Sequence, residues 1–375
     1  MIANHVQQLV KVHKLTVKAA QKEIASQCFG KEEEDIEEYL NFKQMADEFL
    51  KAIGRPGQYN YVQDSIDDEK QGGGIVTILR EMKEQNLPPV YTISPKEARQ
   101  QFDLRPRLPG PKLPKVRYIS VPVNGININC RMYIPDTKKK LPILVWFHGG
   151  GWVLGNVDGS DGVTRHLANG SGCAVLSVNY RLSPEVKFPG PLNDCYGVTK
   201  WVYENAKDLN IDKNRISVGG DSAGGNLAAA VCLRAKDEGE IPLVSQLLVY
   251  PCVDTDFNRS SYKKNKDDYA LTATAMKWFW EQYINSKSDM LNPYVCPLKY
   301  SDHSGLPQAC IILAEHDPLY DEGVEYHKKL TSSKVNSKLI KYRGVMHGFY
   351  SHVGILDKSQ KAMDASCEYL QSVMF

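Results

Sequence analysis

A serine flanked by glycines, between a strand-like run and a helix-like run, is the stretch of this sequence best suited to chemistry. Ser222 is the central residue of Gly220–Gly224, which reads GDSAG and fits the pattern G-x-S-x-G. Ile216 and Val218 before it favour a strand, and residues 226–236 after it favour a helix. A strand, tight turn and helix in this order present the serine hydroxyl beneath a helix N-terminus. We therefore predict that Ser222 is a nucleophile.

Three consecutive glycines upstream predict a second part of the same site. Residues 148–152 read His-Gly-Gly-Gly-Trp and directly follow a continuous apolar run. Glycines let backbone N–H groups turn towards a ligand at no steric cost, and acyl transfer needs such donors for its oxyanion. We assign the donors to the N–H groups of Gly149, Gly150 and Ala223. His148 is expected to hold the loop by hydrogen bonds.

A serine hydroxyl needs a base to become a nucleophile, and the base needs a carboxylate to orient it. His347 lies in a turn after the last predicted strand, and Asp317 closely follows the apolar run 311–314. Both positions belong to the carboxyl edge of a parallel sheet, where Ser222 is also expected. We predict a triad of Ser222, Asp317 and His347, with His352 as the alternative base.

The other titratable side chains near these motifs have structural interpretations. Asp221, beside the serine, is expected to accept hydrogen bonds rather than to act as a second catalytic acid. The remaining histidines are poorly placed for a base, and two further carboxylates suit the first turn of a helix. These residues are His303 in a polar loop, His316 beside Asp317, His327 within a helix, and Asp321 and Glu322 at a helix start.

Apolar runs that alternate with helical patterns indicate how these residues are positioned. Residues 143–147, 174–178, 247–250 and 311–314 are continuous apolar runs, as expected of strands buried on both faces. Asn124-Gly125 predicts a hairpin ahead of them. The pattern predicts an α/β fold with a mostly parallel central sheet of about eight strands and helices on both faces.

Residues 252–305 form a long excursion between two of these strands. It contains a predicted helix over residues 273–284, capped by Thr272 and rich in aromatic side chains such as Trp278 and Tyr283. These side chains are expected to pack the segment on the core, to form an apolar lid over a site, or both. Together with Trp152 of the glycine loop, Trp278 and Tyr283 are the candidates for the substrate pocket.

Composition excludes several classes of function. The 375 residues carry a formal net charge of +2 and are 42% hydrophobic, which permits a large core and offers no basic surface for nucleic acid. The nine cysteines are scattered without C-x-x-C spacing, so we expect neither disulfides nor a metal site. No apolar run approaches the roughly 18 residues of a transmembrane helix. We expect a cytoplasmic protein.

Six segments in the same order resemble the hormone-sensitive-lipase family of α/β-hydrolases, over residues of about 75–375. They are Leu87–Ala98, His148–Trp152, Asn179–Glu185, Gly220–Gly225, Asp317–Gly323 and His347–Phe349. The resemblance implies an α/β-hydrolase fold and carboxylester hydrolysis through an acyl-enzyme, without metal or cofactor. It also implies a helical cap from residues 73–110 and 252–305 over a catalytic core of residues 111–251 and 306–375. Residues 1–72 are then a helical N-terminal extension without a counterpart.

The expected function is a serine carboxylesterase that hydrolyses short- to medium-chain acyl or aryl esters. A small-molecule ester is the expected partner, and the last strand offers an edge for a homodimer. Two alternatives stay open. An amidase or deacetylase would use the same triad, because nothing in the sequence separates an alcohol from an amine leaving group. A non-catalytic receptor on the same fold is disfavoured because the serine, histidine, aspartate and glycines are all present.

Overall fold

The computed structural model describes residues 87–105, 107–265 and 270–375. Within these ranges eight strands form a single sheet in the order β1-β2-β4-β3-β5-β6-β7-β8. The pairs β1–β2 and β2–β4 are antiparallel, and the other five pairs are parallel. The strands are β1 Lys115–Val123, β2 Ile126–Ile134, β3 Leu141–Phe147, β4 Ala174–Val178, β5 Ile211–Asp221, β6 Leu243–Val249, β7 Gln308–His316 and β8 Ser337–Met346. The predicted sheet is confirmed.

The hairpin between β1 and β2 turns at the predicted dipeptide. Asn124 and Gly125 have φ angles of 47° and 80°, and two successive positive φ angles match the twist of the flanking strands. The register pairs Val123 with Ile126 across this turn. A short-range sequence signal therefore sets the pairing of the whole antiparallel edge.

Helices separate the strands and cover the sheet. Every residue of β3 and β4 is buried, as expected for strands with helices on both faces. The helices are α1 Pro95–Asp103, α2 Asp161–Ser171, α3 Gly190–Glu204, α4 Ala223–Glu238, α5 Ser260–Lys264, α6 Ala273–Tyr283, α7 Tyr320–Ser332 and α8 Asp357–Met374. Helix α2 packs against α8, and α3 packs against α4. Short 3-10 segments lie at Val90–Thr92, Lys287–Leu291, Pro297–Lys299 and Phe349–Ser351.

Helix α1 begins with a capping box. The side chain of Ser94 accepts the N–H of Glu97 at 3.3 Å, and the carboxylate of Glu97 accepts the N–H of Ser94 at 2.9 Å. Arg99 in the middle of this helix donates from Nε to the carbonyl of Val153 at 2.8 Å and pairs with Glu185 at 2.6 Å. These contacts join α1 to the segment after the glycine loop.

The described part of residues 252–305 contains α5, α6 and two of the 3-10 segments, with no strand among them. The predicted cap of α6 is confirmed, since Thr272 accepts the N–H of Ala275 at 3.1 Å. The predicted helical extension of residues 1–72 lies outside the described residues. The domain boundaries and the homodimer edge at β8 stay predictions. No helix in the described ranges combines the length and the apolar character needed to cross a membrane.

Candidate active site

Ser222 stands in the tight turn between β5 and α4, as predicted. Its φ of 56° and ψ of −118° form a strained conformation for a residue with a side chain. Glycine is required on both sides of the turn. A Cβ on Gly220 would lie 2.5 Å from the carbonyl oxygen of Phe147, and a Cβ on Gly224 would lie 1.9 Å from the same atom. Small residues therefore let the turn approach β3 closely and present the serine at the edge of the sheet.

His347 and Asp317 meet Ser222 at this carboxyl edge, because the three residues directly follow β8, β7 and β5. Nε2 of His347 lies 2.9 Å from Oγ of Ser222, and Nδ1 of His347 lies 2.6 Å from Oδ2 of Asp317. Asp317 is fully buried, and its Oδ1 accepts the N–H of Leu319 at 2.9 Å. A carboxylate that accepts from Nδ1 leaves Nε2 free to take a proton from a hydroxyl. The three side chains form one continuous hydrogen-bond chain.

The other candidate bases make different contacts. Nδ1 of His352, the alternative base, lies 3.2 Å from the carbonyl oxygen of Gly348. His303 is buried with Nε2 at 3.0 Å from the carbonyl of Pro297. Among these histidines, His347 is therefore the one whose imidazole is hydrogen-bonded to Ser222.

The glycine loop differs from the prediction at Gly149. Its N–H donates to Oδ1 of Asp221 at 3.0 Å, so the N–H that was expected to bind an oxyanion already has an acceptor within the protein. Gly150 and Gly151 have φ angles of 115° and 60°, which glycine adopts without strain. Within the part of the chain that the structure describes, the N–H groups of Gly150, Gly151 and Ala223 have no protein acceptor.

His148 and Asp221 hold this loop in place, as expected. Nδ1 of His148 lies 2.8 Å from the carbonyl oxygen of Gly149, and the ring stacks on Tyr180 with centroids 4.3 Å apart. Burial lowers the pKa of His148 to about 4, so the imidazole is neutral at neutral pH. Burial raises the pKa of Asp221 to about 6, against the opposing effect of the Gly149 N–H and of His347.

Glu322 has contacts that its position at a helix start does not predict. It lies in the first turn of α7, but it is fully buried, and its Oε1 accepts the N–H of Val253 at 2.7 Å. Burial raises the pKa of this carboxyl well above its usual range. Glu322 therefore ties the helix after Asp317 to the segment after β6.

The aromatic residues predicted for the pocket mostly contact one another. Trp152 and Tyr283 are fully buried and stack with ring centroids 4.3 Å apart, so they expose no surface to a ligand here and pack α6 onto the core. Trp278 is half-buried and meets the ring of Phe279 edge-on at 5.1 Å. Phe279, which is not among the predicted residues, reaches the glycine loop: a Cβ on Gly151 would lie 2.1 Å from its ring.

A cavity of about 510 Å³ lies apart from the triad, and its lining includes Asn129, Asn156, Arg99 and Arg181. Its arginines are already paired with carboxylates, as Arg181 is with Asp194 at 2.7 Å. In the described ranges, no group of three or more His, Cys, Asp or Glu side chains could hold a metal ion.

Comparison with known proteins places this geometry among hydrolases. Residues 144–351, which include the three hydrogen-bonded side chains, match the protein family described as an alpha/beta hydrolase fold. An arylesterase of Saccharolobus solfataricus is 35% identical over 68% of this chain and 83% of its own length. An ethyl acetate hydrolase of Pseudomonas putida is 33% identical over 76% of this chain and 92% of its own length.

This chain also superposes on solved structures of esterases. A hyperthermophilic esterase from the archaeon Pyrobaculum calidifontis superposes with a TM-score of 0.74 at 38% identity, covering 79% of this chain and 96% of the esterase. The thermostable carboxylesterase EstE1, cloned from a metagenomic library, superposes with a TM-score of 0.74 at 35% identity, covering 76% of this chain and 99% of EstE1.

Proposed function

This chain belongs to the α/β-hydrolase family and is a carboxylic ester hydrolase, and from that premise we propose that Ser222, His347 and Asp317 are its catalytic triad. The observation that carries the proposal is the hydrogen-bond chain of 2.9 Å from Ser222 to His347 and 2.6 Å from His347 to Asp317. The order serine, aspartate, histidine along the chain is that of α/β-hydrolases. The buried Asp317 and the strained serine turn add further support.

In the first half-reaction the hydroxyl oxygen of Ser222 attacks the ester carbonyl carbon while Nε2 of His347 takes the hydroxyl proton. The carbonyl π electrons move to the oxygen and form the oxyanion. When they return, the bond to the leaving oxygen breaks, and that oxygen takes the proton from Nε2 and leaves as an alcohol. Asp317 keeps the imidazole in the required tautomer and stabilises the imidazolium. The acyl group is now an ester of Ser222.

In the second half-reaction a water molecule takes the place of the alcohol. Nε2 of His347 removes a proton from the water as its oxygen attacks the acyl carbon. The second oxyanion collapses, the bond to Oγ of Ser222 breaks, and Oγ takes back the proton. A carboxylic acid is released and the resting triad is restored.

We assign the oxyanion donors to the N–H groups of Gly150, Gly151 and Ala223. This set includes Gly151 instead of Gly149, because the N–H of Gly149 already donates to Asp221. Ala223 is the first residue of α4, where unpaired N–H groups and the positive end of the helix dipole favour negative charge. One such donor is worth about 10²–10³-fold in kcat.

Short- to medium-chain acyl esters and aryl esters are the proposed substrates. The ring of Phe279 lies against Gly151, which places apolar surface beside the proposed oxyanion site and limits the room for a long chain. One relative is named an arylesterase and another an ethyl acetate hydrolase, which supports aryl and small alkyl esters as the class.

The experiment is hydrolysis of a series of p-nitrophenyl esters from acetate to palmitate by the wild-type protein and by Ser222→Ala. We expect kcat/KM to be highest for short or medium chains. In Ser222→Ala, turnover is expected to fall by about three to six orders of magnitude. Because the substitution removes only the Oγ atom of Ser222, the far-UV circular dichroism and the melting temperature should stay close to those of the wild type.

Near-normal turnover in folded Ser222→Ala would contradict the triad. A preference for palmitate would contradict the proposed chain length. Matched ester and anilide substrates test the leaving group: faster hydrolysis of the anilide would indicate an amidase. A folded wild type without activity on either would indicate a receptor.

A further inference from the structure

Tyr250, the residue directly after β6, has a backbone conformation that is unusual for a tyrosine. Its φ is +34°, in a region that residues with a side chain rarely adopt. Its N–H donates to the carbonyl of Ile312 in β7 at 2.7 Å, and its side chain is 1% exposed. Strain that the surrounding structure maintains is a reason to look for a function.

The strained backbone directs the ring of Tyr250 onto the imidazole of His347. The two ring centroids are 4.4 Å apart, with the planes inclined by 49°. Phe349 meets the Tyr250 ring edge-on at 6.0 Å. The tyrosine ring is thus fixed between the imidazole and a second aromatic side chain.

The residues on either side of Tyr250 contact the nucleophile. The carbonyl of Val249 accepts the N–H of Ser222 at 2.8 Å, and the N–H of Cys252 donates to the carbonyl of Ser222 at 3.4 Å. Residues 249–252 therefore touch both ends of the Ser222–His347 hydrogen bond, through backbone at the serine and through a ring at the histidine.

We propose that Tyr250 is a positioning residue for His347, whose ring keeps the imidazole directed at Ser222 and stabilises the positive charge that the imidazole carries during each half-reaction. The inference rests on the proposed function, because it acts through the proposed base. An aromatic face within about 6 Å of a cation attracts it through the ring quadrupole, more strongly where water is excluded.

The other groups that face the imidazole have different roles. Asp317 accepts from Nδ1, Ser222 bonds Nε2, and Asp221 interacts with the ring through its charge. These are carboxylates and a hydroxyl. Tyr250 adds an aromatic surface, which restricts the ring without competing for either nitrogen.

The test changes the electron density of the ring and leaves its shape almost unchanged. Residue 250 is replaced by phenylalanine and then by phenylalanines with one, two and three ring fluorines, incorporated site-specifically. The acylation rate is followed by stopped-flow release of p-nitrophenol. We expect the rate to fall with each fluorine, by roughly two- to thirty-fold over the series, while KM changes less than about twofold. Tyr250→Phe should keep most of the wild-type rate.

Controls separate this inference from a general loss of structure. Tyr250→Leu is expected to lower the acylation rate more than Tyr250→Phe. Tyr326→Leu removes another fully buried tyrosine whose ring contacts His303 at 5.6 Å, and should leave the acylation rate of the folded fraction unchanged. A flat rate across the near-isosteric fluorine series would overturn the inference.

His347→Asn distinguishes the two levels of the proposal. If the fluorine series is flat while His347→Asn abolishes acylation, only the role of Tyr250 is wrong. If His347→Asn retains acylation, the triad itself is wrong.

Discussion

Asp221 shows how much one side chain beside the nucleophile controls. It precedes Ser222 in the turn, accepts the N–H of Gly149 at 3.0 Å, and interacts electrostatically with His347. Burial raises its pKa to about 6. Its proton is therefore lost within the pH range in which an esterase is usually assayed, and its charge affects the folded state directly.

Asp221 is expected to make the free energy of unfolding depend on pH. The pKa of this carboxyl is about 6 in the folded protein, against 3.8 for an unperturbed aspartate. Because the folded state binds this proton more tightly than the unfolded state does, Asp221 contributes to the free energy of unfolding at low pH. This contribution is fully present below about pH 4 and is lost as the pH rises through about 6. Between about pH 4.5 and about pH 7.5, the free energy of unfolding of the wild type should therefore fall by about 1–3 kcal/mol relative to that of Asp221→Asn. Urea unfolding of both proteins at each pH measures this difference. A difference that is the same at both pH values would contradict the expectation.

At the residue scale the sequence predicts which three side chains meet better than it predicts which glycine N–H groups stay without an acceptor. Ser222, Asp317 and His347 each directly follow a strand, so sheet topology brings them to one edge. Which glycine N–H stays free depends on where the carboxylate of Asp221 points, and three identical residues in a row carry no signal for that. The sequence also does not predict the contact between the rings of Tyr250 and His347, because this contact depends on a positive φ at a residue type that rarely adopts one.

At the scale of elements, helix α6 connects the excursion of residues 252–305 to the glycine loop. Its start at Thr272 could be predicted, because a capping side chain is a local signal. The sequence does not predict which aromatic side chain of α6 reaches the site, because the helix is apolar on more than one face. Trp152 and Tyr283 stack on each other in the interior, and Phe279 contacts Gly151.

Phe279→Ala is expected to shift the substrate preference towards longer acyl chains. Removing the ring opens apolar space beside Gly151, and each methylene newly buried there adds about 0.8 kcal/mol, or about fourfold in kcat/KM. The ratio of kcat/KM for p-nitrophenyl octanoate to that for the acetate should therefore rise by about tenfold or more. Trp278→Ala is the matched control, since this residue is half-buried on the same helix.

An unchanged ratio in Phe279→Ala, in a protein with wild-type stability, would show that the acyl chain lies elsewhere. An equal rise in Trp278→Ala would show that loosening of the whole helix, rather than the space beside Gly151, alters the preference.

At the scale of the whole molecule, the described residues build a core on the central sheet, and cysteines are part of it. The eight described cysteines are free and buried. Burial raises the pKa of Cys130, Cys296 and Cys310 to about 12. Scattered cysteines in apolar runs predict this placement, because a free thiol behaves as a small apolar side chain.

These thiols are expected to report on the cooperativity of the core. In a Cys28→Ser variant, which removes the cysteine outside the described residues, the eight buried thiols should react with an aromatic disulfide reagent only as the protein unfolds, because the reagent needs an accessible thiolate. Denaturant should release eight thiols per chain in one phase, at the rate at which far-UV circular dichroism is lost. A thiol that reacts much faster than this loss would show local opening of part of the core. Peptide mapping of the modified cysteine would then identify the segment that opens. Modification of Cys252, which follows β6 and donates its N–H to the carbonyl of Ser222, would place that opening next to the nucleophile.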